Sequence, residues 1–371
     1  MKDGKLSVAI IGAGMIANAA HVPAYRSLKE RAQIVGVCDL NPVSAEGTAK
    51  RHTIPRWYTD AEAMLQELTP DVVSICTPNA SHGAMVRFAL EAGAHVVCEK
   101  PLALTYRETK ELFDIAREKG KVLMACQTLR YNDEYRFARE MALDEKLGDI
   151  YYAEFSILRR RGIPKWGTFH RMDFNGGGCL CDLGVHMLDA ALWVMGNPSF
   201  AAISGSSAAV FGNSETDIVT SLRESGAPAG VHNARPFAPE EVEVEEFAAG
   251  AVRLENGCQM NFKTSWAANL PDEYGMRFAG SKAGLSLPDM RLFSTFGRYQ
   301  ADIVPRIFSE GKYHGRDFAG HHYLLEELFD HLQRGAEIPV KPEETLNVSK
   351  IIDAFYISAR ERREIRAEEL L

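Results

Sequence analysis

This chain is short of three things, and each shortage narrows what it can be. No window reaches the roughly 18 consecutive apolar residues of a membrane span. The apolar run 6–11 near the N-terminus is too short for a secretory core and no cleavage site follows it. The expectation is a cytoplasmic protein with no membrane partner. Positive charge is in deficit, with 42 Lys plus Arg against 50 Asp plus Glu and a net charge of -8. The basic footprint of a phosphate-backbone binder is missing, so nucleic acid is not an expected partner. Cysteine is sparse, with seven residues at 38, 76, 98, 126, 179, 181 and 258. The first four lie in apolar strand-like runs, where Cys acts as a small hydrophobe. Cys179 and Cys181 have no second pair at zinc spacing, so no metal is expected there.

What is present is ordinary globular material, 46% hydrophobic and 25% charged over 371 residues. That length exceeds the domain norm of about 150 residues and predicts two domains. Over 1–127, short apolar runs at 8–11, 34–37, 72–75, 95–98 and 122–125 alternate with helical-period stretches such as 61–68 and 106–119. Strands apolar on both faces belong to a parallel sheet covered on both sides, which predicts a doubly wound α/β Rossmann domain. Over 128–371 the texture becomes alternating segments at 150–158, 200–210, 241–254, 259–266 and 275–279, with a hairpin cue at Glu255-Asn256-Gly257. This predicts an α+β domain with a mostly antiparallel sheet, a long loop over 221–239 and closing helices at about 318–334 and 342–363, the last free to pack back on the first domain. Glu241, Glu243 and Glu245 are expected on a strand face in water.

Gly12-Ala-Gly14-Met15-Ile16-Ala17 follows the first strand and opens a helix. Gly12 permits the tight turn, and Gly14 lets a pyrophosphate approach the helix N-terminus across Met15 and Ile16. Asp39 ends the second apolar run, where a carboxylate takes adenosine ribose hydroxyls and repels a 2′-phosphate. Leu40-Asn41-Pro42 supplies no adjacent cation, so NAD is favoured over NADP. Thr77-Pro78-Asn79 and His82 follow the strand at 72–75, at the edge where such sheets bind ligands, and read either as a helix-capping turn or as cofactor contacts. Glu99-Lys100-Pro101 follows the next strand, with Lys100 aimed toward where a nicotinamide would lie. Gln127 and Arg130 come after the last strand of the domain and are expected to line the cleft.

A glycine run, Gly176-Gly177-Gly178, leads into Asp182, His186 and Asp189 at i, i+4 and i+7. Such a face suits a satisfied core histidine, a metal ligand set or a general base held in one tautomer. Upstream, Arg159 to Gly167 combines cations with Trp166. Trp166 suits stacking on a pyranose or covering a cofactor, and Arg161 suits binding hydroxyls, although solvated charges at a strand end read as well. His321-His322 opens an amphipathic helix, as core residues or as a far wall for substrate.

In this order and at these separations, the three motifs resemble those of the Gfo/Idh/MocA family of sugar and inositol oxidoreductases, and Ala354, Tyr356 and Ser358 are similar to the family's last helix. The resemblance covers essentially the whole chain. It implies a Rossmann domain followed by an α+β domain whose open sheet mediates homodimers or homotetramers. It implies that Lys100 hydrogen-bonds the reacting hydroxyl, that His186 accepts or relays the proton and that Asp182 orients the neighbouring hydroxyl. No metal is needed for such chemistry. The expected reaction is NAD-dependent oxidation of a secondary hydroxyl of a sugar, glycoside or cyclitol, with wording around Arg161 similar to members acting on the pyranose 3-hydroxyl. The alternatives are glycoside processing with a non-dissociating, redox-cycling NAD, or a non-catalytic NAD(H)-binding regulator.

Overall fold

A computed structural model describes residues 4–213, 230–232, 237–307 and 311–370. The apolar runs of the first domain form β1 (Leu6–Ile11), β2 (Ala32–Cys38), β3 (Trp57–Tyr58), β4 (Val72–Ile75), β5 (His95–Cys98) and β6 (Leu123–Ala125). All neighbours pair in parallel, in the order β3-β2-β1-β4-β5-β6. The order reverses between β1 and β4, which opens a crevice at their carboxyl ends. Val8, Ala9, Ile10, Val72, Val73 and Ile75 are wholly buried. This burial explains runs without polar alternation.

The second domain carries β7 (Ile150–Leu158), β8 (Phe200–Ala208), β9 (Phe247–Leu254), β10 (Gln259–Ser265), β11 (Glu273–Gly280), β12 (Gly284–Leu287), β13 (Arg291–Phe296), β14 (Tyr299–Ile303) and β15 (Ile365–Arg366). They make one nine-stranded sheet, β14-β13-β12-β11-β7-β10-β9-β8-β15, antiparallel except where β7 and β10 run parallel. Side chains alternate as a pleat requires. Phe155, Met260 and Phe262 enter a core shared with Met187, Leu188 and Phe355 of two covering helices, Val185–Val194 and Pro342–Glu361. The opposite face is polar, with Arg277 donating to Glu154 at 2.7 Å and Lys263 to Glu273 at 3.1 Å. Phe262 stacks on Phe155 at 5.4 Å and tilts against Phe355 at 5.7 Å. Phe262→Ala is expected to lower stability by about 3–5 kcal/mol, read as an earlier denaturation midpoint with the first domain's core untouched.

Several expectations change. The acidic stretch 241–245 is not a water-facing strand, because β9 begins at Phe247 and Glu245 is buried. The helix Ala319–Arg334 buries Leu324, Leu325, Leu328 and Phe329 against Leu6, Val8 and Tyr25, so it packs on the first sheet although it follows the second in sequence. The closing helix also touches the first domain, with Asp353 accepting from the Tyr106 amide at 3.1 Å. The stretch Met172–Val194 is long and apolar enough to cross a membrane by composition, but it is mostly buried as a core helix. The loop expected over 221–239 lies largely outside the described residues.

Candidate active site

Two cavities meet the sequence motifs. The first, about 460 Å³, lies at the carboxyl ends of β1 and β4 and is lined by Gly14, Met15, Ile16, Thr77, Pro78, Asn79 and Trp166, seven of the residues expected to hold a cofactor. Gly12 sits behind it at φ +97°, where a Cβ would overlap the Cys76 carbonyl just past β4. Only glycine lets the two strand ends come this close. Asp39 anchors the loop, accepting from the Ala13 amide at 2.8 Å and the Asn41 amide at 2.9 Å. Asn18, which the sequence reading passed over, donates to the Ala13 and Gly14 carbonyls at 2.9 and 2.8 Å. Arg51, distant from Asp39 in sequence, reaches the same cavity wall and donates to Asn18 at 3.0 Å.

A dinucleotide fits these residues on two observations. Gly14 lines the cavity with open space where a Cβ would stand, and Thr77 Oγ1 and Trp166 Nε1 are buried without a partner among the described residues. A polar group left so costs about 1–3 kcal/mol unless a ligand satisfies it. Gln127 Oε1, buried past the end of β6, is in the same state.

His82 and Glu99, expected to contact cofactor, lie deeper. His82 is wholly buried, with Nδ1 2.7 Å from the Pro101 carbonyl and Nε2 2.9 Å from the Thr77 carbonyl. It bridges the turn after β4 to the cis Lys100–Pro101 turn after β5. Burial pushes its basicity down against the two carbonyls. Glu99 points inward, its Oε1 2.9 Å from His21 Nε2 and 3.0 Å from His321 Nε2. Together with Cys126 these are the one group of mixed metal-type ligands among the described residues, all within 4.8 Å of one another. The two contacts to a single oxygen are hydrogen-bond separations.

Lys100 Nζ donates to the Asp182 carbonyl at 2.7 Å and to its carboxylate at 3.4 Å. The other Asp182 oxygen accepts from Trp266 Nε1 at 2.9 Å, a fully buried partner that the sequence reading missed because it ends an ordinary strand pattern. The helix here begins with a wide π turn, Leu180–Gly184, closed by the Val185 amide on the Leu180 carbonyl. Such turns recur at functional sites. The preceding glycines are needed because Glu245 presses on them: a Cβ at Gly178 would overlap the Glu245 carbonyl, and the Glu245 carboxylate accepts from the Gly178 and Leu180 amides at 2.8 and 3.1 Å.

One turn on, His186 lines the second cavity, about 370 Å³, with His321, Tyr274, Arg316 and Phe318. Burial, then the Lys100 ammonium, pushes His186 down to about 3, so its imidazole is neutral at physiological pH.

Three expected residues do not join this group. Asp189 and Arg130 are buried on each other, with Arg130 Nε and Nη2 at 2.6 Å from the two carboxylate oxygens and Nη1 at 2.7 Å from Glu344. Arg130 is thus held inside the fold by two carboxylates and lines neither cavity. Arg161 is spent on the Ala268 carbonyl at 3.2 Å and Asn269 at 3.0 Å, with Phe211 beneath at 4.9 Å. It braces the β7 end against the segment after β10 and does not line either cavity.

Comparison with known proteins points the same way. Residues 6–127 match the oxidoreductase family with an NAD-binding Rossmann fold, and 135–286 match the GFO/IDH/MocA C-terminal domain. The chain is 32% identical over 367 residues to a D-glucoside 3-dehydrogenase of Escherichia coli, covering 97% of each. It is 25% identical to a D-apiose dehydrogenase of Paraburkholderia graminis, covering 98% of this chain and 90% of that one. A levoglucosan dehydrogenase solved with NADH and levoglucosan shares the fold, with a TM-score of 0.80 at 19% identity and 98% and 99% of the chains covered.

Proposed function

The chain belongs to the Gfo/Idh/MocA family of NAD-binding oxidoreductases, and from that premise we propose that it oxidises the 3-hydroxyl of a glucoside or closely related pyranoside, or reduces the corresponding ketone. The observation that carries the reading is the Lys100–Asp182 pair, set one helical turn before His186 on the wall of the second cavity. NAD⁺, when bound by Gly14, Met15, Ile16, Thr77, Asn79 and Trp166, supplies the acceptor for the hydrogen and electron pair of the carbinol carbon. Lys100 has three N–H donors, of which Asp182 takes two. The third is free to hold the reacting oxygen and stabilise its developing charge. Asp182, fixed from behind by Trp266, orients the neighbouring hydroxyl. His186, neutral at physiological pH, accepts a hydrogen bond from the reacting hydroxyl and relays its proton. The relative acting on D-glucosides supports the choice of the 3-position.

The test is NAD reduction by the purified protein across alkyl glucosides, anhydrosugars and inositols, with a 3-deoxyglucoside as control. Reduction by glucosides and none by the 3-deoxy compound is the expected result. Equal reduction of both would move the chemistry to another hydroxyl.

Two coarser features belong to the same proposal. Phe293, Phe296, Tyr299, Ile303, Val304 and Ile307 expose apolar surface at one end of the large sheet, which supports a homodimer or homotetramer. Light scattering would read the mass. All seven cysteines are free and buried, which suits a reducing cytoplasm.

A further inference from the structure

A chain of polar groups lies buried beneath the site, and the reading above uses none of it. Tyr25 and Ser74 hydroxyls are 2.7 Å apart, Ser74 Oγ is 3.2 Å from His21 Nδ1, and His21 Nε2 is 2.9 Å from Glu99 Oε1. The same Glu99 oxygen meets His321 Nε2 at 3.0 Å. Tyr25, Ser74, His21 and Glu99 are buried, and of these groups only His321 opens onto the cavity that holds His186. Placing a carboxylate and two imidazoles out of water is costly unless every contact is satisfied.

We propose that His321, oriented by Glu99 and backed by His21, is the base on which the proton of the reacting hydroxyl ends. The inference rests on the alcohol oxidation proposed above. Proton accounting at Glu99 leads to it. One carboxylate oxygen faces two Nε2 atoms, so both are the protonated nitrogens and both donate to it. The hydrogen bonds to His21 and His321 hold Glu99 ionised well below the usual carboxylate range, although burial alone would raise it. Nδ1 of His321 makes no hydrogen bond among the described residues and is left as the basic nitrogen. A carboxylate behind a histidine fixes its tautomer and stabilises the imidazolium that forms.

His186, on the same wall, lacks such a carboxylate partner and stands near Lys100, which with burial keeps it too weak a base to retain a proton. In the step itself the substrate O–H bond breaks and its proton ends on His321 Nδ1. The C–H hydrogen leaves with its electron pair to oxidised nicotinamide, and the C–O bond becomes a carbonyl. Among the described residues, the charged or titratable groups facing His321 are Glu99 after β5, His21 on the helix after β1, Cys126 after β6, His186 on the second-domain helix, Tyr274 of β11, and Arg316 and His322 on or ahead of its own helix. Burial keeps Cys126 a thiol.

The test combines two readouts on the full chain with NAD present. In ¹⁵N-histidine NMR, neutral His321 is expected as the Nε2–H tautomer, a preference that Glu99→Gln weakens by removing the anion behind it. In steady state, His321→Asn is expected to cut the oxidation rate by about 10²–10³-fold, to keep NADH binding within about threefold, and to regain part of the rate with added imidazole. A His321→Asn enzyme with near-normal turnover overturns the proposal, as does an Nδ1–H tautomer. Stoichiometric zinc that disappears in His321→Asn also overturns it, because both Nε2 atoms would then be ligating lone pairs. The expected tautomer without reduction of NAD by any pyranoside supports the base and overturns the substrate reading instead.

Discussion

Lys100→Met is expected to lower the turnover of glucoside oxidation about 10³-fold, the loss typical of removing one preorganised donor to a developing oxyanion. NAD affinity should stay within about threefold, because Lys100 does not line the dinucleotide cavity. Methionine keeps the length and apolar stem of lysine and removes only the ammonium. Two consequences separate this role from simple substrate binding. The Asp182 carbonyl and one carboxylate oxygen lose their donor, while Trp266 still holds the other oxygen at 2.9 Å, so the helix start should remain in place. His186 loses the second largest of the causes that hold it near 3. Burial remains, so His186 should rise from that value without returning fully to that of free histidine. The check is a full kinetic comparison with NADH titration alongside. A variant that raises KM with turnover unchanged would make Lys100 a binding group equally engaged in ground and transition states.

The parts of this molecule that can be read from its sequence are those whose cause is local. β1, β4 and β5 show as nearly continuous apolar runs because both their faces are buried, and 95–98 and 150–158 are predicted to the residue. The glycine loop is legible for the same reason, since the backbone turn it needs is a property of Gly12 itself. What escapes depends on distant partners. β13 and β14 alternate half-buried with exposed residues and bury little, so no apolar pattern announces them. The parallel pairing of β10 with β7 depends on the order of the whole sheet. Glu245 looks like one carboxylate in an acidic run, and only the glycine segment packed on it explains its burial. His321 is placed correctly at a helix start, but its partner Glu99 lies across the chain. In the glycine-led helix the spacing puts Asp182, His186 and Asp189 on one face, and it cannot tell that Asp189 turns to Arg130.

That partner supplies an expected effect on stability as large as the loss of a core aromatic. Arg130 and Asp189 are 3% and 1% exposed, and Glu344 closes the third side of the guanidinium. Burial alone works against the charge of Arg130, and the two carboxylates outweigh it. Arg130→Met should therefore cost about 3–5 kcal/mol, because it leaves Asp189 as an uncompensated buried anion. Adding Asp189→Leu to Arg130→Met should recover part of that loss, since the stranded charge is then gone and an apolar side chain fills the space. Denaturation midpoints of the two single variants and the double would give the coupling energy directly. Neither change should alter KM for the glycoside by more than about threefold, as both side chains face the packing between the short 3₁₀ turn Leu129–Tyr131 and the helix Val185–Val194. A tenfold rise in KM with unchanged stability would return Arg130 to the substrate. The triad also joins three segments, the turn after β6, the helix carrying His186 and the start of the closing helix, so its loss should loosen the placement of His186 before the chain unfolds globally. An early change in histidine signals during denaturation, ahead of the loss of tryptophan burial, is the expected order.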